Sequence, residues 1–208
     1  IAIALLISLF WWCGIHGATI IGGIMGPILQ SNGLANQEVF NSGAKLVAGQ
    51  NAAVVTNQFV DQFITFGGSG LTLGLVCTML YFSKSRQYKE LGKLSIIPGL
   101  FNINEPIIFG FPVVFNPIMA IPFILAPVIS AIMVYVSIAT GIVEPFRAIS
   151  VPWTTPFIIS GFLIGGVKAA ILQIAVFSMT VAVYFPFFKY QDKLAYQEEQ
   201  KIGTEATV

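Results

Sequence analysis

Residues 94–143 read LSIIPGLFNINEPIIFGFPVVFNPIMAIPFILAPVISAIMVYVSIATGIV and contain one charged side chain, Glu105. A bilayer-crossing helix needs about 20 apolar residues, so this stretch is too long for one crossing. It also holds Pro98, Pro106, Pro112, Pro117, Pro122 and Pro127, six of the chain's eleven prolines. Proline removes a backbone donor and disfavours an uninterrupted helix. In hydrocarbon, broken backbone survives only where it is buried in protein or lines a cavity. The economical expectation is a re-entrant hairpin over 94–116, with Pro106 breaking the helix after Glu105, and then a spanning helix over 117–140.

Downstream, Gly141 to Pro156 is a second broken region, with Glu144, Pro145, Arg147 and Pro152. It reads as another re-entrant element, entering from the opposite side, and Glu144 and Arg147 have the i, i+3 spacing of an ion pair. A last helix is expected over Ala169–Phe188, with 157–168 either leading into it or beginning another. Upstream, Lys84-Ser-Arg86-Gln-Tyr-Lys89-Glu90-Leu-Gly-Lys93 carries four positive charges and one negative. Read as a short loop, it belongs in the cytoplasm by the positive-inside rule. The tail 189–208, with Lys189, Lys193 and Lys201 among four acids, reads as cytoplasmic too. Crossings between these two points must be even in number, and two satisfy the parity. Before the basic run lie an apolar run, Phe63–Phe82, and a mixed Asn- and Gln-rich stretch, 30–62, expected to include an amphipathic helix around 39–62. Residues 1–37 contain no Asp, Glu, Lys or Arg. Ile1–Leu29 reads as a spanning helix that Gly14, Gly17, Gly22, Gly23, Gly26 and Pro27 interrupt or pack tightly.

Composition agrees with this pattern. The 208 residues are 56% hydrophobic and 9% charged, with a mean hydropathy of +0.84. Soluble domains carry roughly 25% charged residues. The expected fold class is therefore an all-α integral membrane protein, with about four to five transmembrane helices and two re-entrant hairpin regions. A net charge of +1 provides no field for nucleic acid. Cys13 and Cys77 form no CxxC pair and read as packing residues. With one histidine and no cysteine cluster, neither a metal site nor a cofactor is expected. The chain starts at Ile1 within an apolar run, which suggests the C-terminal part of a longer protein.

Three positions draw attention for chemistry. Asn102-Ile-Asn104-Glu105 places a carboxylate beside two amides at membrane depth, where an ionisable group faces a cavity or a partner. Acids and amides for hydroxyls, within apolar walls, are the composition of a sugar site. The competing reading is a carboxylate satisfied by a neighbouring helix. His16, the sole histidine, stands in Trp11-Trp12-Cys13-Gly14-Ile15-His16-Gly17, either as an interior packing residue or as a ligand. Trp153, in Val151-Pro-Trp153-Thr-Thr-Pro156, fits either a pyranose-stacking ring or an interfacial belt residue. Gly67-Gly68-Ser69-Gly70-Leu71-Thr72-Leu73-Gly74 lacks the lysine of a phosphate-binding loop and reads instead as small residues for close helix packing.

Asn102-Ile-Asn104-Glu105-Pro106-Ile-Ile-Phe109-Gly110, followed by Pro112, Asn116 and Pro117, resembles the signature of enzyme IIC, the membrane component of the bacterial sugar phosphotransferase system. Gly14-Ile-His16-Gly17, the block from Asp61 through Gly67-Gly-Ser-Gly-Leu-Thr-Leu, and Val151-Pro-Trp153-Thr fit the lactose/cellobiose (diacetylchitobiose-like) branch. The resemblance covers essentially the whole chain and corresponds to the C-terminal, sugar-binding half of that family. It implies a sugar-binding membrane domain over 1–188 and a cytoplasmic tail over 189–208. It further implies a permease that binds a disaccharide, typically β-linked, and moves it across the cytoplasmic membrane coupled to phosphorylation. Glu105 and His16 would be the catalytic candidates, and Asn104, Glu105, His16 and Trp153 the substrate ligands. The phosphoryl group would come from a phosphocysteine of enzyme IIB, itself charged by IIA, with no phosphorylated residue on this chain. A homodimer would form through the other half of the family fold. The alternatives are a proton-coupled secondary transporter working through Glu105, and a non-transporting receptor or inert fragment.

Overall fold

The computed structural model describes residues 1–205, and side chains through Ile202. All regular structure among them is helical. Eight helices follow in order: α1 (Ala2–Trp12), α2 (Gly17–Asn41), α3 (Asn57–Phe63), α4 (Leu73–Phe82), α5 (Arg86–Leu100), α6 (Glu105–Gly110), α7 (Pro117–Ala139) and α8 (Ile159–Glu205). Two of them, α7 and α8, are long and apolar enough to cross a bilayer, whereas the apolar α1 and α4 are 11 and 10 residues long.

α7 starts where Asn116 Oδ1 accepts from the amides of Ile118 and Met119, with Pro117 at the first helical position, where a missing amide costs nothing. One face of α7 buries Met119, Phe123, Ala126, Ala131 and Val134. The other exposes Ile121, Leu125, Ile132 and Val136, a stripe suited to lipid. α8 packs on both α7 and α4. Its helix is broken at Gly165 and Gly166, so a short first turn precedes the long C-terminal segment. Buried Gln173 ties the two pieces. Its Nε2 donates to Gln62 O (2.7 Å) and Ser160 Oγ (3.0 Å), and its Oε1 accepts from the amides of Ile158 and Gly161. Phe63 stacks on Phe146 with centroids 5.3 Å apart, joining α3 to the 140–158 segment in the core.

Several expectations are corrected. The break near Glu105 lies before the carboxylate, at 101–104. Pro106 sits in the first turn of α6 and starts that helix. The run Phe63–Phe82 is not one helix: residues 64–72 form a loop in which Gly67, Gly68, Gly70 and Leu71 all have positive φ. Of the expected small-residue packing, Gly74 alone packs helix to helix, against Thr180 of α8. No helix covers 42–56. There the backbone is held by amide side chains, with Asn36 Nδ2 donating to Ala53 O and Phe146 O, and Asn32 Nδ2 to Val55 O. The basic run is helical from Arg86 onward. Pro27 does not break α2; the interruption falls at 13–16. Cys13 is exposed at that turn rather than packed, while Cys77 is half-buried. Glu144 and Arg147 form no ion pair; the Arg147 guanidinium lies 3.8 Å over the Phe40 ring. α8 runs unbroken from Val167 through Glu205, so the described part of the tail, 189–205, is helical, and 206–208 lie outside the described residues.

Candidate functional site: a cavity where four helix breaks meet

Two helical hairpins bring their tips together. α1 and α2 pack on one another across the turn 13–16, and Gly17 lies so close to the Ile7 carbonyl that any side chain would collide with it. α5 and α6 pack likewise across 101–104. The loop 64–72 and the segment 140–158 complete the ring. Non-helical backbone in a membrane domain lines a cavity, and here it surrounds one of about 410 Å³.

Its wall contains every residue singled out from sequence: His16 from the first tip, Asn104 and Glu105 from the second, and Trp153 from the 140–158 segment. Glu105 and Trp153 are exposed, Trp153 by 61%. Asn104 is buried, and its Nδ2 donates to Ser69 O at 2.8 Å. A methyl group at Gly68 would run into this side chain, and Gly68 has a φ of +92°. Only glycine serves there on both counts. Asn104 thus spends its donor on the glycine loop and keeps its carbonyl oxygen for a ligand donor.

His16 caps α2. Its Nδ1 accepts from the Thr19 amide (3.2 Å), and the Thr19 hydroxyl lies 2.7 Å from the same nitrogen. An amide can only donate, so Nδ1 carries no proton and the proton of the neutral ring is on Nε2. His16 therefore offers the cavity a hydrogen-bond donor. The Trp11 ring, 4.4 Å away between centroids, backs the imidazole.

Asn102 works as a clamp. With φ +67°, a conformation that asparagine tolerates better than most residues, its Oδ1 accepts from the Gly67 amide. Its Nδ2 donates to the carbonyls of Trp153 and Thr155. One side chain thus binds three of the four breaks together. Tyr184 of α8 adds a brace, its hydroxyl donating to Gly70 O at 2.7 Å.

Four further wall residues, Trp11, Thr19, Asp61 and Thr65, were not singled out from the sequence. Asp61 had a visible signal, being the acid that opens the apolar run from Phe63. Thr19 and Thr65 had none, since their roles come from local turns.

A family model described as "Phosphotransferase system, EIIC" matches residues 1–127. The cellobiose-specific EIIC component of the Geobacillus stearothermophilus PTS system is 48% identical over 204 residues, covering 96% of this chain and 44% of that protein. The lichenan permease IIC component of Bacillus subtilis (strain 168) is 43% identical over 196 residues, covering 93% of this chain and 42% of that protein. The crystal structure of the transporter ChbC, the IIC component from the N,N'-diacetylchitobiose-specific phosphotransferase system, superposes with a TM-score of 0.90 at 43% identity. The match covers 96% of this chain and 45% of ChbC. The chain spans less than half the length of these proteins.

Proposed function

The chain belongs to the phosphotransferase-system EIIC family, whose members are integral membrane permeases, and we propose that it is the sugar-binding part of a permease for a β-linked disaccharide of the cellobiose, chitobiose or lactose type. The observation that carries the proposal is the convergence of His16, Asn104, Glu105 and Trp153 on one cavity. A carboxylate, an amide carbonyl and an imidazole N–H can address hydroxyls of both polarities, and an exposed indole offers a face for the C–H surface of a pyranose.

The chemistry follows from these groups. Glu105 binds the sugar near its C6 hydroxyl and takes the proton as the oxygen attacks phosphorus. The S–P bond of an enzyme IIB phosphocysteine breaks as the O–P bond forms, leaving a cysteine thiolate on IIB. His16 Nε2–H contacts a neighbouring hydroxyl or a phosphoryl oxygen. Such a transfer demands positioning and charge stabilisation rather than a covalent intermediate on this chain. The charged sugar phosphate then leaves toward the cytoplasm.

In the membrane, four to five crossings, with the two broken regions 94–116 and 141–156 as re-entrant elements, agree with the positive charge at Lys84, Arg86, Lys89 and Lys93. That end and the α8 extension lie in the cytoplasm of a bacterial cell membrane, where phosphorylated IIB docks. Dimerisation falls to the half of the family fold outside this chain.

The test is sugar uptake and phosphorylation by the full-length protein in vesicles, with and without phosphorylated IIB. Uptake and phosphorylation of one disaccharide of the panel, dependent on IIB, is expected. Uptake that survives loss of IIB but collapses with the proton gradient would assign Glu105 to a proton-coupled transporter and overturn the proposal.

A further inference from the structure

Asp61 lines the main cavity on one side. That residue also lines a second cavity, of about 310 Å³, with Gln30, Asn57, Gln58, Gln62 and Ser150 in its wall. The two cavities differ in character. The first carries Trp11 and Trp153; among its described lining residues the second carries no aromatic ring and four carboxamides. Gln58 Nε2 donates to Ile149 O at 2.9 Å, but its Oε1 has no partner. Gln62 is 2% exposed, and its Oε1 has none either. Buried polar atoms nearly always find partners, so two unpaired acceptors buried just behind one wall call for an explanation. Asp61 hydrogen-bonds through its backbone carbonyl, which accepts from Thr65 Oγ1.

The wall itself offers the carboxamides of Gln30 and Asn57, which both donate and accept, with the Asp61 carboxylate and the Ser150 hydroxyl beside them. It suits a neutral ligand whose groups both donate and accept, the property of a hydroxyl. We propose that the second cavity is a subsite for a further sugar ring. A longer oligosaccharide would bind with its reacting end at Glu105 and its distal ring beyond Asp61. Small rotations of Gln58 and Gln62 would let hydroxyl donors satisfy the unpaired oxygens. The inference rests on the main cavity's being a sugar site.

Binding of cellobiose and cellotriose to the full-length protein, by calorimetry in detergent or nanodiscs, tests it. Gln30 and Asn57 make no hydrogen bond to another described side chain or backbone group through their amides, so the variant Gln30→Ala/Asn57→Ala should fold. The wild type should bind the trisaccharide at least as tightly as the disaccharide. The variant should lose about tenfold for cellotriose, the scale of two hydrogen bonds, and less than about twofold for cellobiose. Cellobiose bound while cellotriose is rejected, or equal losses for both sugars in the variant, would overturn this inference and leave the main site standing. Failure of the wild type to bind cellotriose or any disaccharide of the cellobiose, chitobiose and lactose panel would overturn both.

Discussion

His16 Nδ1 accepts a hydrogen bond from the Thr19 amide at 3.2 Å, so the residue that caps α2 also has its tautomer fixed by that cap. One side chain thereby starts a helix and presents an N–H donor to the cavity. The two duties can be separated. His16→Ala should lose about 1 kcal/mol of stability, the usual cost of an N-cap, and about tenfold in sugar affinity. His16→Asn keeps a capping oxygen and should recover the stability without the affinity. Thermal unfolding and disaccharide titration of the full-length protein read the two effects. Wild-type affinity in His16→Asn would remove Nε2–H as a sugar donor.

The Glu105 carboxylate is exposed at the cavity and has no hydrogen-bond partner among the described residues, so Glu105→Gln should fold normally. Its sugar affinity should fall less than tenfold. Phosphorylation should fall by about 10²-fold or more, as expected for loss of a general base. Single-turnover transfer from phosphorylated IIB measures this, and retained turnover would confine Glu105 to binding.

Asn102→Asp preserves size and the acceptor for Gly67 N–H but removes both donors to Trp153 O and Thr155 O. It also sets a carboxylate against two carbonyl oxygens. A loss of about 2 kcal/mol or more is expected, the cost of unpaired buried groups. Because Trp153 is held by that bond, sugar affinity should drop with stability. Unchanged tryptophan fluorescence on sugar addition, relative to wild type, would argue against the clamp.

Asp192 is 1% exposed, and its carboxylate accepts from Ser83 Oγ and from the amides of Lys84 and Ser85. Seven residues on, Glu199 accepts from Ser85 Oγ and from the amides of Arg86 and Gln87. Together they pin the α4–α5 corner to α8. Asp192→Ala should cost about 3 kcal/mol, since the carboxylate is itself buried and would leave the buried Ser85 amide unpaired, and Glu199→Ala about 1 kcal/mol, since two of its three donors, the Arg86 and Gln87 amides, are exposed and can turn to water. Chemical or thermal unfolding of the two variants checks the ranking; equal losses would refute the role of burial.

Much of the cavity was legible before any coordinates. Glu105 stood out because a carboxylate within 50 otherwise uncharged residues is costly in a bilayer unless it has a use. His16 and Trp153 stood out as polar or aromatic residues beside glycine and proline. Asn102 was read with Asn104 as a possible sugar contact, yet its amide is consumed by backbone groups 35 and 51 residues away. A partner so distant leaves no local trace. The same applies to Asp192, whose function depends on a corner more than 100 residues upstream.

Apolar patterning and charge placement were enough to define a helical membrane chain, the span 117–140, the broken segments and a basic end, because lipid enforces those features residue by residue. Where each helix starts was not settled that way: Pro106 opens α6 instead of ending a helix, and the glycine loop splits Phe63–Phe82. Those outcomes depend on which hydrogen-bond partners the rest of the fold supplies. The meeting of four breaks in one cavity, with Asn102 as its clamp and His16 as both cap and donor, exists only once distant segments are packed together. Contacts of that range are set by the shape of the assembled core, which no local pattern encodes.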